Sequence, residues 1–262
     1  MIKEHFSNIN KIYKLALIDL KKIYKGAALG WVWLIAKPAV NILIYWFLFA
    51  VGLRVGTSVN GYPYFIWLIL GLLPWFYITD IISGLPGSYK KYNYLVNKIK
   101  FPISIIPTFM SLSRFIVNII LTLIVLIIYF VVTGNFMIKY ISLILYLVLM
   151  FIFMSVIGNI ISLISGLSKD IGNLIKTIQT PLMVLSPIFW DINNMNITWI
   201  GVIQIFNPIA YFVTGFRDVF IYDISIFSKP LELFVMLLLL TLLIMLNIKL
   251  HNKIYKNLPD YL

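Results

Sequence analysis

Cysteine is absent from the 262 residues, which excludes disulfides, thiolate metal sites and a cysteine nucleophile. Histidine occurs only as His5 and His251, near opposite ends of the chain and outside its apolar runs, so no histidine metal centre is expected. Charge is scarce as well, at 11% of residues, where a soluble domain carries about one quarter. No Ser/His/Asp set, no HExxH and no pair of acids within an apolar run occurs, so a membrane enzyme would lack its acid–base groups. A proton-coupled carrier would show several intramembrane acids or two matching halves, and neither is visible. A GxxxxGK[ST] loop is missing too, so the chain cannot cradle ATP in the P-loop manner. If ATP drives it, the engine is another polypeptide. No short apolar stretch with a small-residue cleavage site precedes the first long run near Ala27, so no cleaved signal peptide is expected.

What the chain does have is apolar length. Hydrophobic residues make up 61% and mean hydropathy is +0.98, the composition of an all-α integral membrane protein. The net charge of +12 is placed for anionic lipid and topology rather than for nucleic acid. The N-terminal segment, 1–30, is an interface helix. Within it Ile9, Ile12, Tyr13, Ala16, Leu17, Leu20, Ile23 and Tyr24 share one face, and Lys11, Lys14, Lys21, Lys22 and Lys25 gather opposite, as in a helix lying among lipid headgroups. Leu15 and Ile18 fall on the polar side.

Six spans are expected, at 34–53, 62–83, 103–133, 141–167, 171–190 and 231–248. Gly71 and Pro74 suggest a kink in the second, and Pro107 separates an interfacial start of the third from its buried part. The stretch 196–216 is apolar enough for a seventh span, but charge bias argues otherwise. With six spans, sixteen cations lie in the cytoplasmic segments and only Arg54, Lys139, Arg217 and Lys229 outside, in keeping with the positive-inside rule. Asn207-Pro208 interrupts a continuous helix. The region therefore reads as an extracellular re-entrant hairpin between spans 5 and 6, with both termini cytoplasmic.

Between spans 2 and 3 lies a polar island, 84–102, GLPGSYKKYNYLVNKIKFP. Pro86 and Gly87 break the preceding helix, and Ser88 is suited to cap a new one. Tyr89, Tyr92, Leu95, Val96 and Ile99 recur at helical spacing with lysines between them. This is either a short amphipathic helix that receives force from a partner or a basic loop that anchors topology. Of the charges inside spans, Asp80 and Arg114 lie at similar depth and suit a helix-to-helix ion pair; the other reading places them in a transport path. Arg217 either binds phosphate oxygens at an outer gate with Asn207 and Pro208, or pairs with Asp218, Asp223 or Glu232 or reaches lipid headgroups and only fixes the hairpin. Aromatics, 16% of the chain, suit belts and helix contacts, with a minority available to stack on sugars.

The runs LGWVWLIAKPAVNILIYWFLFAVGLR (29–54), NKIKFPISIIPTFMSLSRF (97–115), LSPIFW (185–190), FNPIAYFVTGFRD (206–218) and terminal LPDYL resemble the membrane subunits of ABC-2 type polysaccharide exporters, most closely those that translocate wall teichoic acid. The likeness spans almost the whole chain and implies one transmembrane domain, 1–262. It implies two copies around a central path, each docked on a separate ABC ATPase that binds ATP and Mg, with no cofactor on this chain. The island 84–102 would be the coupling helix in a cleft of the ATPase, and 191–216 the re-entrant region at the outer mouth. The substrate would be a polyprenyl-diphosphate-linked polymer crossing a bacterial plasma membrane. The likeness supplies no catalytic residue. An O-antigen or capsule permease, a drug-efflux or scaffold member of the same superfamily, and a membrane enzyme of lipid-linked glycan assembly are the alternatives.

Overall fold

A computed structural model describes residues 2–26, 28–53, 58–59, 61–96, 101–134, 139–192 and 198–254. Two helices open the chain, α1 (Ile2–Ser7) and α2 (Ile9–Tyr24). A 3-10 turn at Gly30–Val32 leads into α3 (Trp33–Trp46), which continues as a π-helical stretch over Phe47–Gly52. A two-residue antiparallel pair, β1 (Ser58–Val59) and β2 (Tyr62–Pro63), then starts α4 (Tyr64–Gly84).

Two short turns follow, α5 (Ser88–Lys91) and α6 (Asn93–Val96), and then α7 (Ile106–Thr133) and α8 (Tyr140–Leu167). The last part holds α9 (Lys169–Leu185), α10 (Thr198–Ile205), α11 (Pro208–Phe220) and α12 (Pro230–Ile254). Among the described residues, five helical stretches are long and apolar enough to cross a membrane: Gly30–Gly52, α4, Ile103–Thr133, α8 and α12. α9, where a fifth of six spans was expected over 171–190, ends at Leu185 after 17 residues. At 1.5 Å per residue it is about 25 Å long, short of the roughly 30 Å hydrocarbon core.

The bundle is built around α4. Its apolar window is 83% buried, against 6% for the stretch containing α3, because α4 is apolar all round and is packed by α3, α7, α8, α9 and α11. Large rings fill the centre: Trp67, Tyr77, Phe109, Tyr146, Phe153, Phe212 and Phe216 are all fully buried. α3 and α12 lie outside and leave apolar faces uncovered.

α2 does not turn its whole apolar face one way. It packs on α7 along the i, i+4 row Ile12, Ala16 and Leu20, while Ile9, Tyr13 and Ile23 stay exposed. Leu15 packs at the edge of the core and Ile18 is exposed. The row that is buried is set by the groove of α7, since ridges four residues apart fit a neighbouring helix. His5 hydrogen-bonds Thr108 at 2.9 Å and Ser104 donates to Glu4 at 2.8 Å, so α1 is fastened to the start of α7.

Candidate functional site

The island between α4 and α7 is not one amphipathic helix. Gly87 sits at φ +79° and forms the N-cap of α5, so Ser88 is the first helical residue and its side chain is buried, not capping. Only glycine takes that left-handed conformation at low cost. α5 stops at Tyr92, and α6 begins at Asn93. The apolar residues expected to meet a partner turn the other way: Tyr89, Tyr92 and Leu95 are buried within the chain. The side chain of Val96, and Ile99 entirely, lie outside the described residues. The face left to solvent carries Lys90, Lys91 and Tyr94. The physical reason is tertiary: a gap between α2, α7 and α8 takes the rings, and burial there outweighs exposure.

One carboxylate organises this corner. Asp19, on α2, is completely buried. It accepts hydrogen bonds from Tyr92 Oη at 2.5 Å, Ser113 Oγ at 2.6 Å and Lys91 Nζ at 2.8 Å, with Arg114 Nη1 at 3.5 Å. Three elements, α2, the α5–α6 turn and α7, are thus tied at a single side chain. Burial alone would raise the Asp19 pKa, but the bonds from Lys91, Ser113 and Tyr92 outweigh it and hold the carboxyl below its usual value. Tyr92 moves the opposite way, kept neutral by burial and by its bond to Asp19. Its ring packs edge-on against Phe109 at 4.9 Å, and Lys22 lies 5.2 Å from the centroids of both Tyr92 and Tyr94.

Asp19 was missed from the sequence, although a signal existed. It is the lone acid of a lysine-rich helix, and its place three residues after Ala16 and seven after Ile12 puts it on the buried row. The expected partner of Arg114 was Asp80. Arg114 does reach residue 80, but through Nε to the backbone carbonyl at 3.1 Å, and its carboxylate partner is Asp19. Its guanidinium also lies against Gly84, where a Cβ would fall 2.6 Å from Nη2.

The Asn207-Pro208 break is a helix start. Asn207 Oδ1 accepts from the backbone N–H of Ile209 at 3.0 Å and of Ala210 at 3.4 Å, and Pro208 takes the first position, where no N–H is needed. The Asn207 amide also donates to Ser186 Oγ and Gln204 Oε1, each at 3.0 Å, and Gln204 donates to the Leu185 carbonyl. The corner between α10 and α11 is therefore stapled to the end of α9. Residues 193–197 lie outside the described residues.

Arg217 is not an exposed gate cation. It is 3% exposed and spans three backbone carbonyls, donating through Nη1 to Pro187 at 2.6 Å, through Nη2 to Ile188 at 2.7 Å and through Nε to Trp67 at 3.3 Å. Its guanidinium carbon lies 3.4 Å from the Trp67 ring centroid, and Gly71 leaves room that a Cβ would occupy. The carbonyls of Pro187 and Ile188 belong to an irregular turn after α9, which a planar fork can satisfy and a helix cannot, and the third, of Trp67, belongs to α4. Asp218 pairs with Lys229 at 2.6 Å, and Asp223 with Lys139 at 3.5 Å, so two of the three acids expected to hold Arg217 serve other cations.

No group of histidine and acidic side chains suited to a metal ion occurs among the described residues. Apolar helices of this number and length make this a multi-pass membrane protein of helical type. The chain belongs to the ABC-2 type transporter family, whose family model matches residues 11–221. A relative from Myxococcus xanthus, named O-antigen export system permease protein RfbA, is 21% identical over 222 residues, covering 84% of each chain. A Klebsiella pneumoniae protein of the same name is 31% identical over 104 residues, 38% of this chain and 39% of that one. Neither name gives support to the expected teichoic acid; both specify O-antigen.

Proposed function

We propose that the chain is the transmembrane subunit of an ATP-driven exporter that moves a lipid-linked polysaccharide of O-antigen type across a bacterial plasma membrane. The observation that carries this reading is the family match over residues 11–221, together with relatives named for O-antigen export. A separate ABC ATPase supplies hydrolysis and holds ATP and Mg. Its docking surface is the outward face of the α5–α6 turn, Lys90, Lys91 and Tyr94. Movement of that turn passes through Tyr92 and Lys91 to Asp19, and from there to α2 and to Arg114 on α7. The termini and this turn lie at the cytoplasmic side, with α10 and α11 as the re-entrant hairpin opposite and α9, extended by the turn after it, as the remaining crossing. A second copy completes the path, and the uncovered faces of α3 and α12 meet that copy or lipid.

The test is reconstitution. The tagged chain should recover an ATPase subunit on purification, and proteoliposomes holding both should expose a fluorescent lipid-linked oligosaccharide to the opposite leaflet only with ATP and Mg. Translocation by the chain alone, or chemical turnover of the glycan, would overturn the reading.

A further inference from the structure

A cavity of about 480 Å³ opens between α3, α4 and α7, within the size range of small-molecule sites. It stands apart from the Asp19 knot, yet Arg114 belongs to both. Lys37 and Asn41 line one wall, one helical turn apart on α3; Asp80 and Arg114 line the opposite wall. Lys37, Asn41 and the Asp80 carboxylate make no hydrogen bond or ion pair among the described residues, and neither does Arg114 Nη2. Lys37, the Asp80 carboxylate and the Nη2 edge of Arg114 thus face the same space, while the other edge of that guanidinium meets Asp19. Asp80 lies four residues before the end of α4 and Arg114 eight residues into α7, about 6 and 12 Å from those ends. Ionisable groups at that depth are costly unless they meet a partner or water, and they mark binding sites by default.

The surroundings describe an amphiphile rather than a free anion. Leu34, Val117 and Leu121 close the apolar side of the cavity. From its rim α3 carries Val40, Leu43 and Ile44 uncovered, and Phe47 in the π-helical stretch after it is uncovered too. We infer that this cavity binds the phosphate of a membrane amphiphile, with Lys37 and the free edge of Arg114 as donors and the exposed face of α3 as the track for its hydrocarbon chain. Asp80 and Asn41 then accept from, or donate to, the polar groups beyond the phosphate. Phosphate diesters of bilayer lipids and polyprenyl diphosphates both have this chemistry. The site itself does not rest on the export reading, since binding needs neither nucleotide nor an ATPase.

The experiment uses the full chain in neutral detergent, with saturation binding measured for fluorescent phosphatidylglycerol and for farnesyl diphosphate, and with farnesol and inorganic phosphate as competitors. Lys37 is exposed, so Lys37→Gln is expected to fold normally, and unchanged thermal stability checks this. Loss of a charge-assisted hydrogen bond predicts weakening of about tenfold or more. Lys37→Arg keeps the charge and should keep binding, and Lys14→Gln on α2 should change nothing. Tighter binding of the diphosphate assigns the site to the carrier lipid of an exported polymer. Equal or tighter binding of phosphatidylglycerol assigns it to a resident bilayer lipid. The proposal fails if Lys37→Gln and Lys14→Gln bind alike, if farnesol competes as well as farnesyl diphosphate, or if inorganic phosphate displaces either probe at equal concentration.

Discussion

The Tyr92 hydroxyl donates to the Asp19 carboxylate across 2.5 Å, joining two residues 73 positions apart in the chain. Tyr92 marks the break between α5 and α6, and Asp19 is the one acid of α2, so this contact fixes where the polar island sits on the bundle. With Lys91, Ser113 and Arg114 around the same carboxylate, one side chain ties three elements together.

Asp19→Asn should therefore be much more damaging than loss of any one donor. It leaves Arg114, whose side chain is 11% exposed, without its carboxylate, and breaking a buried pair from one side costs about 3–5 kcal/mol. Lys91→Ala should cost under about 1 kcal/mol, because that lysine is half in solvent. Thermal unfolding of the purified chain in detergent measures both. Equal effects from the two variants would mean that Asp19 is not the centre of the knot.

The same contact sets a pH window. The folded pKa of Asp19 lies below its ordinary 3.8, so its contribution to stability is complete above that value and is lost as pH falls through the folded pKa. Tyr92 is raised above its ordinary 10.0, so its contribution is complete below that value and is lost as pH rises toward the folded pKa. Wild type should exceed Asp19→Asn in stability by a constant margin between those limits, with the margin shrinking in acid. A margin that changes steeply near neutral pH would contradict this.

Arg217 is expected to behave as a clasp. Arg217→Gln and Arg217→Lys both leave carbonyls among Trp67, Pro187 and Ile188 unmatched, each costing about 1–3 kcal/mol when buried. Gly71→Ala should mimic them by pushing the guanidinium away without removing any polar group. Membrane abundance and melting temperature are the readouts. Normal abundance with lost export in Arg217→Gln would place the residue in the substrate path instead.

On the island, burial separates folding from docking. Leu95→Ala empties a buried position and should cost about 2–5 kcal/mol in stability. Lys90→Glu and Tyr94→Ala lie on the exposed face and should leave stability within about 0.5 kcal/mol while reducing recovery of a copurifying ATPase. If Lys90→Glu and Tyr94→Ala leave that recovery unchanged, the docking face lies elsewhere.

Hydropathy and turn chemistry were enough to determine the membrane class, the presence of long apolar helices and the helix breaks at Pro86-Gly87 and Asn207-Pro208. Each of these depends on residues close together in the chain: a run of apolar side chains long enough for a bilayer, or a proline that cannot donate where a helix would need it. Which partner a buried charge meets was decided only by the tertiary structure. Asp80 and Arg114 matched in depth, yet Arg114 turned to Asp19, contributed by a helix 95 residues earlier. Arg217 had acids beside it in sequence and took three carbonyls instead. Tyr89, Tyr92 and Leu95 shared an apolar stripe, but whether it faced a partner or the chain's own core depended on the gap left by α2, α7 and α8. Spacing along one helix says which side chains lie together; what lies opposite is set by how separate helices pack, where long-range contacts compete for the same charge.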